Sequence, residues 1–238
     1  MKRERVGIIR VCGISRGTAY PSINGWTTIP AWSRGAQPYC QLSPFFIRDE
    51  SDCIFENIWQ SYKVWETVYE QKSWEWKWPE EKHVGEDGLP NELWTKWHES
   101  LIHNKYTVRR PNGRHIPLYA WFEGKKLDII RARQEIYIPM LQKLYRKHPI
   151  YQKLLEMVKS GEDIIIVEPD GPPKHLFPEG LEVNLDLLKH LQSVTKVGEL
   201  GGILPGREAP RENSQNNSQK YVPYGHGYVI ALTILEDI

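Results

Sequence analysis

Phe55-Glu56-Asn57-Ile58-Trp59-Gln60-Ser61-Tyr62-Lys63 is the stretch on which the reading of this chain turns. At helical spacing Glu56, Trp59, Gln60 and Lys63 fall at i, i+3, i+4 and i+7 and share one face. The neighbouring stripe of Phe55, Ile58, Tyr62, Trp65 and Tyr69 is apolar and gives the helix something to pack on. A carboxylate, an indole, a carboxamide and an ammonium lined up beside a buried stripe make the wall of a site, where an ordinary solvated face would carry charges without the Trp. Asp52 is the expected N-cap, and the helix is predicted to run from Cys53 to about Gln71.

Bulk composition narrows the function classes. A chain of 238 residues can bury a substantial core. Its 31 Lys and Arg against 30 Asp and Glu leave a net charge of +1, which argues against an electrostatically driven nucleic-acid binder and leaves room only for a local basic patch. The 10 Trp and 12 Tyr against 5 Phe favour aromatic rings with a polar tip, suited both to a core and to stacking flat ligands. Cys12, Cys40 and Cys53 are odd in number and form no C-x-x-C pair, so neither a disulfide framework nor a zinc site is expected, and the expected home is the reducing cytoplasm. Val6–Cys12 is short and carries Arg10, so it reads as a strand and not a signal peptide, and no run is long enough to span a membrane.

Working outward, the residues from Cys12 to about Gln41 are rich in Gly, Ser, Pro and Thr, and residues 1–41 read as an irregular N-terminal extension. A short extended run is expected near Leu42–Ile47. Ser73–His83 alternates Trp74, Trp76 and Trp78 with charge, as an edge strand or an extended loop. Asn91–His103 reads as a helix, and Tyr106–Arg110 with His115–Trp121 as a hairpin or a turn around Pro111-Asn112-Gly113. Lys126–Lys147 carries the strongest helical stripe, with a kink or break expected about one turn before Pro139. Tyr151–Ser160 is predicted helical, Asp163–Val167 a buried strand, and Asn184–Ser193 a helix. Pro205–Lys220 reads as a mobile loop, and Tyr224–Asp237 fits helix or strand, with helix preferred. The sum is an α+β chain, a mostly helical single domain with a few short strands.

Several polar residues sit where chemistry is done. Arg133 interrupts the apolar stripe of the Lys126–Lys147 helix, and a charge there needs a buried partner, Glu56 among the choices, or a phosphate or carboxylate ligand. Arg109, Arg110 and Arg114 form a basic cluster that is either a solvated turn or a phosphate contact. Glu168 and Asp170 follow the buried strand; they either cap a turn or supply the second carboxylate that hydrolysis of a glycosidic bond requires. His226 lies between two glycines, which permit close approach of backbone to a ligand. There is no Walker A loop, no G-x-G-x-x-G after a strand, no G-x-S-x-G elbow and no metal-ligand spacing among the histidines. Gly198–Gly202 is glycine-rich but lacks the phosphate-loop lysine.

The order of these segments resembles the NADAR family of N-glycosidases, which share the YbiA-like fold. In that family an aromatic S-x-F-Y run precedes a helix bearing E-x-x-[YW]-Q-x-x-K; here Ser43-Pro44-Phe45-Phe46 precedes Glu56 to Lys63. A basic stretch, a long helix with a Met, an L-L-x-T-G helix end and a strand ending in a carboxylate have counterparts at Arg109/Arg110, the helix through Arg133 and Met140, Leu154-Leu155 to Ser160-Gly161, and Ile164 to Glu168. The chain departs from the family after the strand, where Asp170-Gly171 stands without the family's Trp, and near the C-terminus, where His226 replaces an Asn. The resemblance implies hydrolysis of an N-glycosidic bond between ribose and a base or amine, in ADP-ribosylated or phosphoribosylated material, with no metal or redox cofactor. It implies that Glu56 and Asp170 are catalytic, that Trp59 stacks on base or ribose, and that Lys63, Arg109 or Arg110, and Arg133 hold phosphates. Gln60, Glu168 and His226 complete the expected substrate-binding set. The alternative is a nucleic-acid-binding protein, non-catalytic or base-modifying, that stacks unpaired bases on the Trp74/Trp76/Trp78 run.

Overall fold

The computed structural model describes residues 5–14, 19–70, 76–113, 115–171, 178–193 and 225–238. Trp74, Arg114, Pro172-Pro173, Gly198–Gly202 and the Pro205–Lys220 loop lie outside the described residues. In chain order run β1 (Ile9–Gly13), β2 (Trp26–Pro30), α1 (Phe55–Ser61), β3 (Lys63–Val64), β4 (Thr67–Val68), β5 (Glu81–Lys82), α2 (Glu92–Ile102), β6 (Tyr119–Phe122), β7 (Lys125–Leu127) and α3 (Ile129–Ala132). There follow α4 (Ile138–Arg146), α5 (Pro149–Lys159), β8 (Asp163–Glu168), β9 (Leu181–Glu182), α6 (Leu185–Ser193) and α7 (His226–Asp237). The fold class is α+β, and the chain divides into two compact units, Met1–Ser43 with Ile138–Ile238, and Pro44–Tyr137.

The first unit is organised by β8. Ile164, Ile165, Ile166 and Val167 are all 0% exposed, and a strand buried on both faces takes parallel neighbours covered by helices. β1 pairs with it in parallel from Ile9↔Ile164 to Gly13↔Glu168, and β2 does so on the other side from Trp26↔Asp163 to Pro30↔Val167. β9 adds an antiparallel strand outside β1. Two of the strands therefore come from the N-terminal stretch read as largely irregular. Trp26-Thr27-Thr28-Ile29 has strand-forming residue types, but Gly and Pro on either side hide the signal, and its partner lies far downstream in sequence. Pro30 ends β2, which is an edge strand, where a missing N–H is tolerated.

α7 is buried from His226 to Ile234, which settles Tyr224–Asp237 as helix from His226 onward. It packs on α4, α5, β1 and β8. Its C-terminal turn is tied down by Gln142 Nε2 donating to Glu236 (2.8 Å), Arg146 Nε to Asp237 (3.0 Å) and the Tyr151 hydroxyl to Asp237 (2.6 Å). α5 covers the helix expected at Tyr151–Ser160, and Gly161 ends it at φ +91°, a conformation that favours glycine. Leu42, expected in an extended run, instead closes a 3-10 turn over Tyr39–Leu42.

In the second unit α1 stops at Ser61, well short of Gln71. Lys63 and Val64 enter β3 and pair with Ala120 and Tyr119 of β6. The helical period fails because Val64, Trp65 and Val68 are drawn into a core with Trp76, Val84, Trp94, Trp97 and Leu101, and extended backbone buries these β-branched and aromatic residues. The start also differs. Asp52 has φ +63° and does not cap; Ile54 is the N-cap, and the Phe55 and Glu56 N–H groups donate to the carbonyls of Ile47 and Pro44 (3.0 and 2.9 Å).

α2 matches its prediction, with Asn91 accepting from the Trp94 N–H (3.1 Å). Around Asn112 the chain makes a turn, the Gly113 N–H donating to the Arg110 carbonyl (3.1 Å), and the hairpin is β6 and β7, joined through Glu123 and Gly124 at φ +47° and +75°. Asn112 instead ties two segments together, accepting from the Tyr69 N–H and donating to the Thr67 carbonyl (2.9 Å each). Asp128 caps α3, and the break expected before Pro139 is a π-helical turn at Arg133–Tyr137. Proline supplies no N–H to the regular ladder, and a wider turn accommodates the loss. Among the described residues no helix is long and apolar enough to cross a membrane.

His83 is the costly member of the tryptophan core. It is 0% exposed, its imidazole lies against Trp97 and Trp78 (centroids 5.6 and 6.3 Å), and neither ring nitrogen has a hydrogen-bond partner. Burial pushes its pKa down from 6.5 to about 4. The neutral ring is therefore retained in the folded state, and stability present above the unfolded value of 6.5 is lost as pH falls towards 4. Denaturant titrations are expected to show about 3 kcal/mol of acid-side loss from this group. His83→Leu should flatten that part of the profile; an unchanged slope would refute it.

Candidate functional site

The Pro44–Tyr137 unit assembles most of the face read from the sequence. Glu56, Trp59 and Gln60 come from α1, and the Gln60 Nε2 donates to Glu56 Oε1 at 2.8 Å, which fixes the carboxylate's orientation. Lys63 reaches the group from β3 and not from the helix, yet its ammonium stands 5.0 Å from the Trp59 ring centroid. Arg133 opens the π-helical turn, its guanidinium carbon 5.0 Å from the Trp59 ring and 4.3 Å from that of Tyr137. Exposure is low throughout: Glu56 8%, Gln60 5%, Lys63 7%, Arg133 7%.

Two cations over one indole are attracted by the ring quadrupole, an interaction that strengthens as water is removed. Trp59 is 2% exposed and also meets Tyr137 edge-on at 5.1 Å. Both cations therefore stand over the ring of a buried tryptophan. Tyr137 is a second ring under Arg133. Its position i+4 from Arg133 was the signal, visible once both are placed on one helical turn.

Arg109 and Arg110 are exposed, and the Arg109 guanidinium lies 4.3 Å over the Phe45 ring. Phe45 belongs to the aromatic run that precedes α1, so the basic stretch and that run meet. A carboxylate of fixed orientation, two cations held by ring faces and further arginines in the same unit are the parts needed to bind an anionic ligand and to oppose developing positive charge.

The other unit places Glu168 and His226 together. Glu168 ends β8 and is 0% exposed; His226 opens α7 and is 5% exposed. His226 Nδ1 is 2.9 Å from Glu168 Oε2, and Nε2 is 2.5 Å from the Ala31 carbonyl oxygen, just past β2. Burial alone would favour the neutral imidazole. The charge of Glu168 and its hydrogen bond, aided by Asp170 and the Ala31 carbonyl, outweigh burial and raise the His226 pKa. The N-terminus of α7 adds a favourable dipole for the carboxylate. Asp170 sits half-buried in the turn after β8.

The glycines beside His226 serve this pair. A Cβ on Gly225 would overlap the Glu168 carboxylate, and one on Gly227 would lie 2.9 Å from Glu168 Oε1. The close approach expected for a ligand is therefore taken by Glu168 itself. Among the described residues no group of three His, Cys, Asp or Glu is placed to hold a metal ion.

Glu168→Gln is expected to leave a buried imidazole facing no counter-charge and to cost about 3–5 kcal/mol of stability. Because the folded-state pKa of His226 is raised, the pair's contribution is full below 6.5 and is lost as pH rises through that raised value. Urea titrations carried upward from the unfolded value of 6.5 should show this alkaline loss in wild type and its absence in Glu168→Gln; equal slopes would refute the pairing.

No protein-family model, no curated protein and no solved structure matches this chain.

Proposed function

We propose that the chain is an N-glycosidase that hydrolyses the bond between ribose and a base or amine in an ADP-ribosylated or phosphoribosylated substrate. The observation that carries this reading is the Glu56 carboxylate, oriented by Gln60, on the same short helix as an indole that holds Lys63 and Arg133. Departure of a base from ribose develops positive charge at the sugar carbon, and a fixed carboxylate stabilises it or activates the attacking water. Phosphate groups on the same ligand are met by cations, and Arg133 offers a planar fork suited to two phosphate oxygens. The residue pattern resembling the NADAR family points to the same chemistry.

The reading as a nucleic-acid binder built on the Trp run gains nothing from Trp76, which is buried in the tryptophan core, while Trp78 is half-buried and packs against that core. Trp74 lies outside the described residues.

Release of free base is to be followed from ADP-ribosyl-guanine in DNA and from phosphoribosyl pyrimidines. Glu56→Gln should lower the rate by about 100-fold or more while the melting temperature stays near that of wild type. Arg133→Met should raise KM for the phosphorylated substrate by about tenfold, and Asp170→Asn asks the same assay about the other carboxylate. A Glu56→Gln protein as active as wild type would sink the assignment.

A further inference from the structure

Asn57 follows Glu56 on α1 and is 0% exposed. Its carboxamide makes hydrogen bonds to a single distant loop. Nδ2 donates to the carbonyl oxygens of Asn104 (2.9 Å) and Tyr106 (2.8 Å), and Oδ1 accepts from the Val108 N–H (2.8 Å). A side chain here does what a neighbouring strand would do, pairing alternate peptide groups of an otherwise irregular segment. The loop has further fastenings: the Thr107 hydroxyl donates to the Phe45 carbonyl (3.2 Å), and the Asn104 side chain accepts from the Tyr106 N–H (2.9 Å).

The loop leads directly into the basic stretch. Arg109 comes next after Val108 and lies over Phe45, while the residue before Phe45, Pro44, accepts a hydrogen bond from the Glu56 N–H at 2.9 Å. The arginine-bearing loop, the aromatic run and the first turn of α1 are thereby joined within one unit. An apolar residue at position 57 would pack the helix equally well and leave the loop undefined. Burying a carboxamide is tolerated only because each of its polar atoms finds a partner.

We propose that Asn57 is a positioning residue that sets Arg109 at a fixed place relative to Glu56, so that the anionic part of a ligand is anchored while the carboxylate faces its reacting carbon. The inference rests on the reading of the Glu56 site given above. Holding the loop in advance removes the ordering cost that a flexible arginine would impose on each binding event, so its loss appears in affinity before it appears in the chemical step.

The test uses the full chain, with ADP-ribose and ribose 5-phosphate as calorimetric probes. Arg109→Met is expected to weaken ADP-ribose binding by about tenfold, the effect of losing one charge-assisted contact. Asn57→Ala should weaken it in the same direction, and the double variant should bind no worse than the poorer single one, because Asn57 acts through Arg109. With a turned-over substrate, KM should rise in Asn57→Ala while kcat stays within about threefold. A folded Asn57→Ala protein with wild-type affinity overturns the proposal, as does full additivity with Arg109→Met.

Should Asn57→Ala fail to fold, Thr107→Val decides, since it removes one fastening of the same loop and no core contact of α1. Weakened, non-additive binding with Arg109→Met supports the proposal; unchanged or additive binding overturns it. A wild-type protein that binds neither probe overturns both this inference and the reading of the site. One that binds ADP-ribose but releases no base overturns the hydrolase reading alone, and the affinity series still settles the role of Asn57.

Discussion

Four consecutive residues with no exposed surface, Ile164 to Val167, impose the constraint around which the first unit is built. A strand buried on both faces must satisfy its peptide groups through backbone on both sides, and β1 and β2 do so in parallel. Parallel neighbours put the ends of β8, β1 and β2 on one edge, where Glu168, Gly13 and Pro30 lie. The N-terminus of α7 arrives at that edge, and Glu168 and His226 meet there. The ion pair is thus a consequence of how one apolar run is buried.

Both units treat buried charge by the same rule, with different partners. Glu168 and His226 face each other as an ion pair, at the expense of side chains at Gly225 and Gly227. In the Pro44–Tyr137 unit the cations of Lys63 and Arg133 rest on aromatic faces, and Gln60 holds Glu56. In one cluster a carboxylate meets an imidazole, in the other the cations stand over ring faces, and that is the physical difference between them.

Periodicity located the strongly patterned elements well: α2 with its Asn91 cap, α5, β8, and the break before Pro139. It failed where tertiary packing competed with local pattern. The apolar spacing from Phe55 to Tyr69 fits a helix throughout, yet Val64, Trp65 and Val68 are worth more in the tryptophan core than on a helix stripe. β2 was obscured because a short parallel edge strand carries little signal until its partner is known. The turn at Pro111-Asn112-Gly113 was legible, but the hairpin lies elsewhere, because Asn112 also ties its segment to Thr67 and Tyr69 through its side chain.

Local order in the chain was sufficient to put Glu56, Trp59, Gln60 and Lys63 on one face and to offer Glu56 among the partners of Arg133, because a charge or carboxamide beside an apolar stripe must be partnered wherever the stripe is buried. Their mode of partnership needed three-dimensional structure. Lys63 joins from a strand, two cations stand over the Trp59 ring, and Asn57 ties a distant loop that no spacing announces. The reason is range: helix periodicity relates residues a few positions apart, whereas a cation over a ring or a carboxamide on a distant loop is decided by which segments are brought together, and only the folded chain specifies that.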